Sequence, residues 1–298
     1  MSNLPPDRRL ETPAATALAG AAAASTPKKK SDLKPRLIAG AAMAVVALAL
    51  TYAGPVPFAL LVGLVALLMC WEWGRVVRGT DFGPQFVVHA AAILAAVAAA
   101  ASGQPLAGLG AVGAGVAALA LLRLGERPEM SAVGVAYVGL PVVALLWFRS
   151  DAALGLLAVL FLFVVVWTSD IAAFAAGRSI GGPKLWPRVS PNKTWSGFLG
   201  GVGSTAIAGA LFAQMVPGAS STRLALIALA LAVVAQAGDL AESALKRWFG
   251  VKDSSSIIPG HGGVMDRADS IVAVSTAAAI LALLLDMAAP ARALLLGG

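Results

Sequence analysis

The side chains best equipped for chemistry lie between Gly238 and Ser270, in GDLAESALKRWFGVKDSSSIIPGHGGVMDRADS. Ten ionisable groups fall in this stretch, within a 298-residue chain that is only 12% charged. Asp239, Glu242, Ser243 and Lys246 are spaced i, i+3, i+4, i+7, which places them on one face of a helix. Two carboxylates, a hydroxyl and an ammonium on one stripe can bind a divalent cation and the phosphate it carries. Mg2+ suits such a stripe, because it takes one or two carboxylates and completes its shell with water and phosphate oxygens. Lys246 and Arg247 could instead be cations snorkelling at a membrane boundary.

Beyond Lys252 and Asp253 comes Pro259-Gly260-His261-Gly262-Gly263. Glycines around one histidine let backbone N–H groups approach a phosphate closely, although a plain interhelical turn would read the same way. Asp266 and Asp269 then open the next apolar run, one turn apart. Asp269 suits ordinary N-capping, whereas Asp266 could face Asp239 across two helices. A second polar stretch follows Asp170, which sits about a turn inside an apolar helix and so reads as functional. It contains Arg178 and ends in Ser190-Pro191-Asn192-Lys193-Thr194-Trp195. Ser190, Asn192 and Lys193 against a helix N-terminus make an anion site, or else a basic loop on anionic lipid. Glu72 and His89 stand alone in other apolar runs and read as structural or interfacial.

The elements that must position these groups are apolar. The chain is 59% hydrophobic with a mean hydropathy of +0.84, well above the level of about 45–50% apolar residues of soluble domains. The fold class is therefore all-α, a polytopic integral membrane protein with about nine transmembrane helices. The spans run near Leu37–Tyr52, Phe58–Trp73, Phe86–Ser102, Leu106–Leu122, Met130–Phe148, Ala152–Ala176, Trp195–Val216, Leu224–Leu245 and Ile271–Ala288. The first two are short and read as a tight hairpin or a shallow re-entrant pair. Residues 1–35 read as a disordered basic tail, 36–150 as N-terminal transmembrane helices, and 151–298 as a catalytic transmembrane region.

With that division, only Arg149, Arg223 and Arg292 of the 22 basic residues fall on the face opposite the tail. The asymmetry puts both polar stretches on the cytoplasmic face. It also accounts for the net charge of +7 without nucleic acid. The single cysteine, Cys70, excludes a disulfide framework.

The ordered pattern S-x-x-K-R-x(4)-K-D-x-S-x(3)-P-G-H-G-G-x-x-D-R-x-D runs unbroken from Ser243 to Asp269. Together with Gly238-Asp239-Leu240 and Ser190–Trp195, it resembles the phosphatidate cytidylyltransferase, or CDP-diacylglycerol synthase, family. The likeness covers Ala152 to Ala288; Ser196 stands where the family usually has Glu. It implies transfer of CMP from CTP to phosphatidic acid, with release of pyrophosphate, at the cytoplasmic face of the inner membrane. It further implies Mg2+ held by Asp239 and Asp266, with Glu242 and Asp269 as secondary ligands, and a second cation could join it. Lys246, Arg247, Lys252, His261 and Arg267, with the Gly262-Gly263 amides, would neutralise phosphate charge. Ser190, Asn192 and Lys193 would hold the lipid phosphate or close the site.

The expected partners are CTP, phosphatidic acid, the lipid bilayer and a homodimer packed through Gly-rich faces in Phe86–Phe148. Two other readings stay open. A CTP-dependent lipid kinase would release CDP instead of pyrophosphate. A transporter would spread its charges over two related halves, and no internal repeat is visible here.

Overall fold

The computed structural model describes residues 33–297 other than 124 and 259–261, so residues 1–32 of the N-terminal tail and His261 lie outside the described residues, while residues 33–35, read as tail, are helical. Among the described residues the fold has ten α-helices, a short 3-10 turn (Ala213–Met215) and one β-hairpin. The α-helices are α1 (Leu33–Ala53), α2 (Pro55–Arg78), α3 (Pro84–Ala101), α4 (Pro105–Leu122), α5 (Pro128–Arg149), α6 (Gly155–Ile180), α7 (Trp195–Phe212), α8 (Ser221–Trp248), α9 (Met265–Leu285) and α10 (Pro290–Leu295). The hairpin strands, β1 (Lys184–Trp186) and β2 (Ser190–Thr194), lie between α6 and α7. Eight helices, α2 to α9, are long and apolar enough to cross a bilayer, and the shorter apolar helix Ile38–Ala53 precedes them. The chain is thus a multi-pass helical membrane protein.

Local sequence explains many of the boundaries. Helices α2, α3, α4 and α5 each begin with proline at the first turn, where its missing N–H costs nothing and its fixed φ fits. Gly79 closes α2 in the left-handed conformation. The expectation that the second span is short is corrected, because α2 has 24 residues. Charge in WEWGRVVR ends the apolar run at Trp73, yet the helix continues because Glu72 is taken into the core. The hairpin was also unforeseen: an irregular antiparallel pair with Lys184 opposite Thr194 and Trp186 opposite Ser190. It is tied to α7 by Thr194, whose hydroxyl accepts from the Gly197 amide, while the Ser196 hydroxyl of α7 donates to the Gly181 carbonyl at the end of α6.

The helices pack in two groups. Helices α2 to α5 form one, α6 to α9 the other, and α9 meets α5 and α2 across the seam. Packing in the second group depends on small residues. On α7 the buried positions Gly197, Gly201, Thr205 and Gly209 recur every fourth residue and face α6 and α8. A Cβ at Gly201 would lie 2.9 Å from the Ser169 carbonyl oxygen of α6. Between lipid-exposed helices such contact, not apolar burial, supplies the attraction. Gly201→Leu is therefore expected to cost about 1–3 kcal/mol through overpacking and to lower the Tm of the detergent-solubilised protein. Gly203→Ala, whose Cβ meets nothing within 4 Å, should leave the Tm unchanged or slightly raised.

Candidate active site

The two groups of helices leave an open cavity of about 890 Å³ at their seam. One end carries Asp170 from α6, Lys193 from β2, Gln236 and Asp239 from α8, and Asp266, Arg267 and Asp269 from α9. The remaining wall is apolar, contributed by α1, α2, α5 and α6 through residues such as Met43, Val62, Met69, Val142 and Phe163. Close approach of α8 and α9 makes the charged end. A Cβ on Gly238 would lie 3.2 Å from the Asp269 carbonyl and would collide with Ala273. Only glycine lets the neighbouring Asp239 and Asp269 come to the same wall.

The carboxylates are met by lysines. Lys193 Nζ lies 2.7 Å from Asp239 Oδ2 and donates to Gln236 Oε1 at 3.2 Å. Gln236 Nε2 in turn donates to the buried Ser169 hydroxyl at 3.0 Å, which orients the amide. Lys246 is buried between Glu242, at 2.9 Å, and Asp266, at 2.5 Å. It therefore does not snorkel. Asp266 also accepts from the backbone amides of Ser254, at 3.0 Å, and Gly263, at 2.7 Å. Asp269 lies inside α9 instead of capping it, and accepts from the Ser270 amide at 2.7 Å.

Other residues singled out in the sequence lie apart from the cavity. Arg247 is exposed and donates to the Val251 carbonyl at 3.1 Å, closing the end of α8. Lys252 and Asn192 are exposed and Ser190 is half-buried, and none of the three lines the cavity. Gly262 adopts a positive φ of +85° and pairs with Ile258, whose amide donates to its carbonyl at 2.9 Å. The Gly263 amide, expected to point at phosphate, is engaged by Asp266. Two residues were undervalued. Gln236 carried no charge to draw notice. Glu72, read as isolated, is wholly buried and bound to the segment that precedes Asp266.

Among the described residues no three Asp, Glu, His or Cys side chains stand close enough to form a ready cation cage. The donor chemistry nevertheless fits Mg2+. The wall offers hard carboxylate oxygens, and Glu242 Oε1 is a buried acceptor with no hydrogen-bond partner. Mg2+ keeps much of its shell for water and phosphate, so a protein site of one or two carboxylates suffices.

The Lys246 ammonium separates two carboxylates that are 1% and 7% exposed. Removing one partner of such a buried arrangement typically costs about 3–5 kcal/mol, because a charge is left uncompensated. Lys246→Met should accordingly lower the unfolding midpoint strongly, and adding Glu242→Gln should restore part of it. No recovery in the double variant would show that Lys246 does not neutralise Glu242.

Comparison with known proteins places the chain in a family. The profile of the Cytidylyltransferase family matches residues 34–285, from α1 to the end of α9. Phosphatidate cytidylyltransferases of Brucella suis biovar 1 and Brucella melitensis biotype 1 are each 40% identical over 247 residues, covering 82% of this chain and 91% of theirs. The phosphatidate cytidylyltransferase of Staphylococcus haemolyticus is 44% identical over 143 residues, covering 48% of this chain and 54% of its own. With a match that runs through every helix lining the cavity, this chain belongs to the cytidylyltransferase family.

Proposed function

We propose that the chain is a phosphatidate cytidylyltransferase: it transfers CMP from CTP to phosphatidic acid, giving CDP-diacylglycerol and pyrophosphate. The names of its relatives support this, and one observation carries it. A single cavity has carboxylates and cations at one end and an apolar wall at the other. A lipid with a phosphate headgroup needs both environments at once, and a soluble substrate pair would not need the apolar wall.

In this reaction an oxygen of the lipid phosphate attacks the α-phosphorus of CTP, and the bond to the β-phosphate breaks. Both reactants are anions, so charge compensation and alignment supply most of the rate. Lys193 and Arg267, which line the charged end, would hold phosphate oxygens there, and Lys246 would add positive charge behind Asp266. Asp239 and Asp266 are the ligands we assign to Mg2+, with Asp269 and Glu242 as secondary groups beside them. Bound there, Mg2+ would offset the charge developing on the leaving pyrophosphate. Gln236, fixed by Ser169, would keep Lys193 aimed at the reacting groups when Asp239 turns to the cation. The apolar wall would take the acyl chains.

We place the charged end at the cytoplasmic face of the inner membrane. Arg223 and Asp239 lie at opposite ends of the membrane-crossing part of α8, about 24 Å apart along the helix axis. Arg223 and Arg292 meet α10 and Asp286 at the far end, donating to the Ala293 carbonyl and pairing with Asp286. The face carrying few cations is thus the one remote from the cavity carboxylates. CTP would reach the charged end from water, and the lipid from the leaflet.

The test is product analysis with purified protein, radiolabelled CTP and phosphatidic acid. CDP-diacylglycerol and pyrophosphate should form in equal amounts, stop on chelation of divalent cations and resume with Mg2+. Asp239→Asn should lower kcat by at least about 100-fold, the scale of losing one transition-state electrostatic contact, while the protein stays in the membrane. Release of CDP with a phosphorylated lipid would instead support the lipid-kinase reading, and wild-type turnover in Asp239→Asn would remove that residue from the site.

A further inference from the structure

Glu72 lies in α2, in the group of helices that supplies none of the charged wall, and it does not line the cavity. Its side chain is completely buried. A carboxylate in that position must find partners or disrupt the bundle. Among the described residues no lysine or arginine pairs with it. Four hydrogen-bond donors converge on it instead: the hydroxyls of Ser255 at 2.6 Å and Ser254 at 3.2 Å, and the backbone amides of Met265 at 2.6 Å and Val264 at 2.8 Å.

These donors come from both ends of one segment. Ser254 and Ser255 lie within the connection after α8, and Val264 and Met265 are the N-cap and first residue of α9. The residue at the N-cap of α9, Val264, has no side chain able to cap. Glu72 takes that role from another helix, 193 residues away in sequence from Met265, and its negative charge suits the positive end of the helix dipole. The fit leaves no room at Gly263, where a Cβ would strike both the Ser254 hydroxyl and the Glu72 carboxylate.

The same segment holds Asp266. The Ser254 amide donates to Asp266, and so does the Gly263 amide, while Asp266 receives Lys246. A shift of Glu72 would therefore move Ser254 and the first turn of α9, and with them the Asp266–Lys246 pair on the cavity wall.

We propose that Glu72 is a positioning residue for the cytidylyl transfer: it clamps both ends of the 254–265 segment, and so fixes where Asp266 and Lys246 stand. The proposal rests on the reading of the cavity as the site of that reaction. It assigns the N-terminal helices a part in catalysis that wall-lining alone does not.

The test compares wild type, Glu72→Gln and Ser254→Ala/Ser255→Ala, each purified as folded protein and assayed for kcat and KM with CTP and phosphatidic acid. Glu72→Gln keeps the size of the side chain but turns an NH2 towards groups that are themselves donors. Its kcat should fall about 100-fold, as expected for a misplacement near 1 Å, with KM for the lipid unchanged because the apolar wall is untouched. The serine double variant keeps the carboxylate and both backbone donors, so it should fold and show a smaller loss in kcat. A purely structural Glu72 predicts less folded protein and a lower Tm, but wild-type kcat in the folded fraction. That result overturns the proposal, in Glu72→Gln or, should that variant fail to fold, in the serine double variant. An inactive wild type would instead sink the assigned reaction, so the two failures are distinguishable.

Discussion

Asp266 is the charge around which this molecule is built. It sits at the start of a membrane-crossing helix, largely out of solvent, where an uncompensated carboxylate would be costly. Its compensation comes from Lys246 on α8 and from amides of the preceding connection, at Ser254 and Gly263. Lys246 then brings in Glu242, and the connection brings in Glu72. The consecutive helices α8 and α9 and the sequence-remote α2 are thereby locked into one arrangement. A buried ion pair adds little net stability compared with apolar packing, but it punishes every wrong arrangement. In a bundle whose apolar faces are nearly interchangeable, that penalty selects one packing from many.

The same constraint shapes the cavity. Charges can collect here because the two groups of helices do not close fully upon each other, and the gap is faced with side chains of opposite character at its two ends. Glycine governs how near the charged groups approach. Gly238 brings α8 against α9, and Gly201 brings α7 against α6, where the neighbouring Ser169 steadies Gln236 and so Lys193. Positions that look like generic membrane-helix filler thus set distances between ionised groups.

The spans were legible in the sequence because a run of apolar residues long enough to cross a bilayer has few other uses. The charged end was legible for a related reason: Asp239, Asp266 and Asp269 break such runs, and the breaks fall on one face of the membrane. Contacts that join distant parts of the chain were not legible. Glu72 looks isolated because its donors begin 182 residues further on, and they are serines and amides that carry no sequence signal. The hairpin was hidden because Ser190–Thr194 contains proline and asparagine, poor strand formers that a two-stranded edge tolerates. Arg247 follows Lys246 directly, yet adjacent helical residues point in different directions, so only Lys246 turns inward. Gly263 misled in the opposite sense, since its amide serves Asp266.

The central claim is that one cavity takes a charged headgroup at one end and acyl chains at the other. Val142 on α5 lines the apolar wall and is 4% exposed, well away in sequence from every charged residue of the site. The most direct measurement is turnover of Val142→Phe with long-chain and with very short-chain phosphatidic acid at saturating CTP. Narrowing the apolar wall should depress turnover of the long-chain lipid while sparing the short-chain lipid and the KM for CTP. An equal loss for both lipids, or no loss for either, would contradict the account.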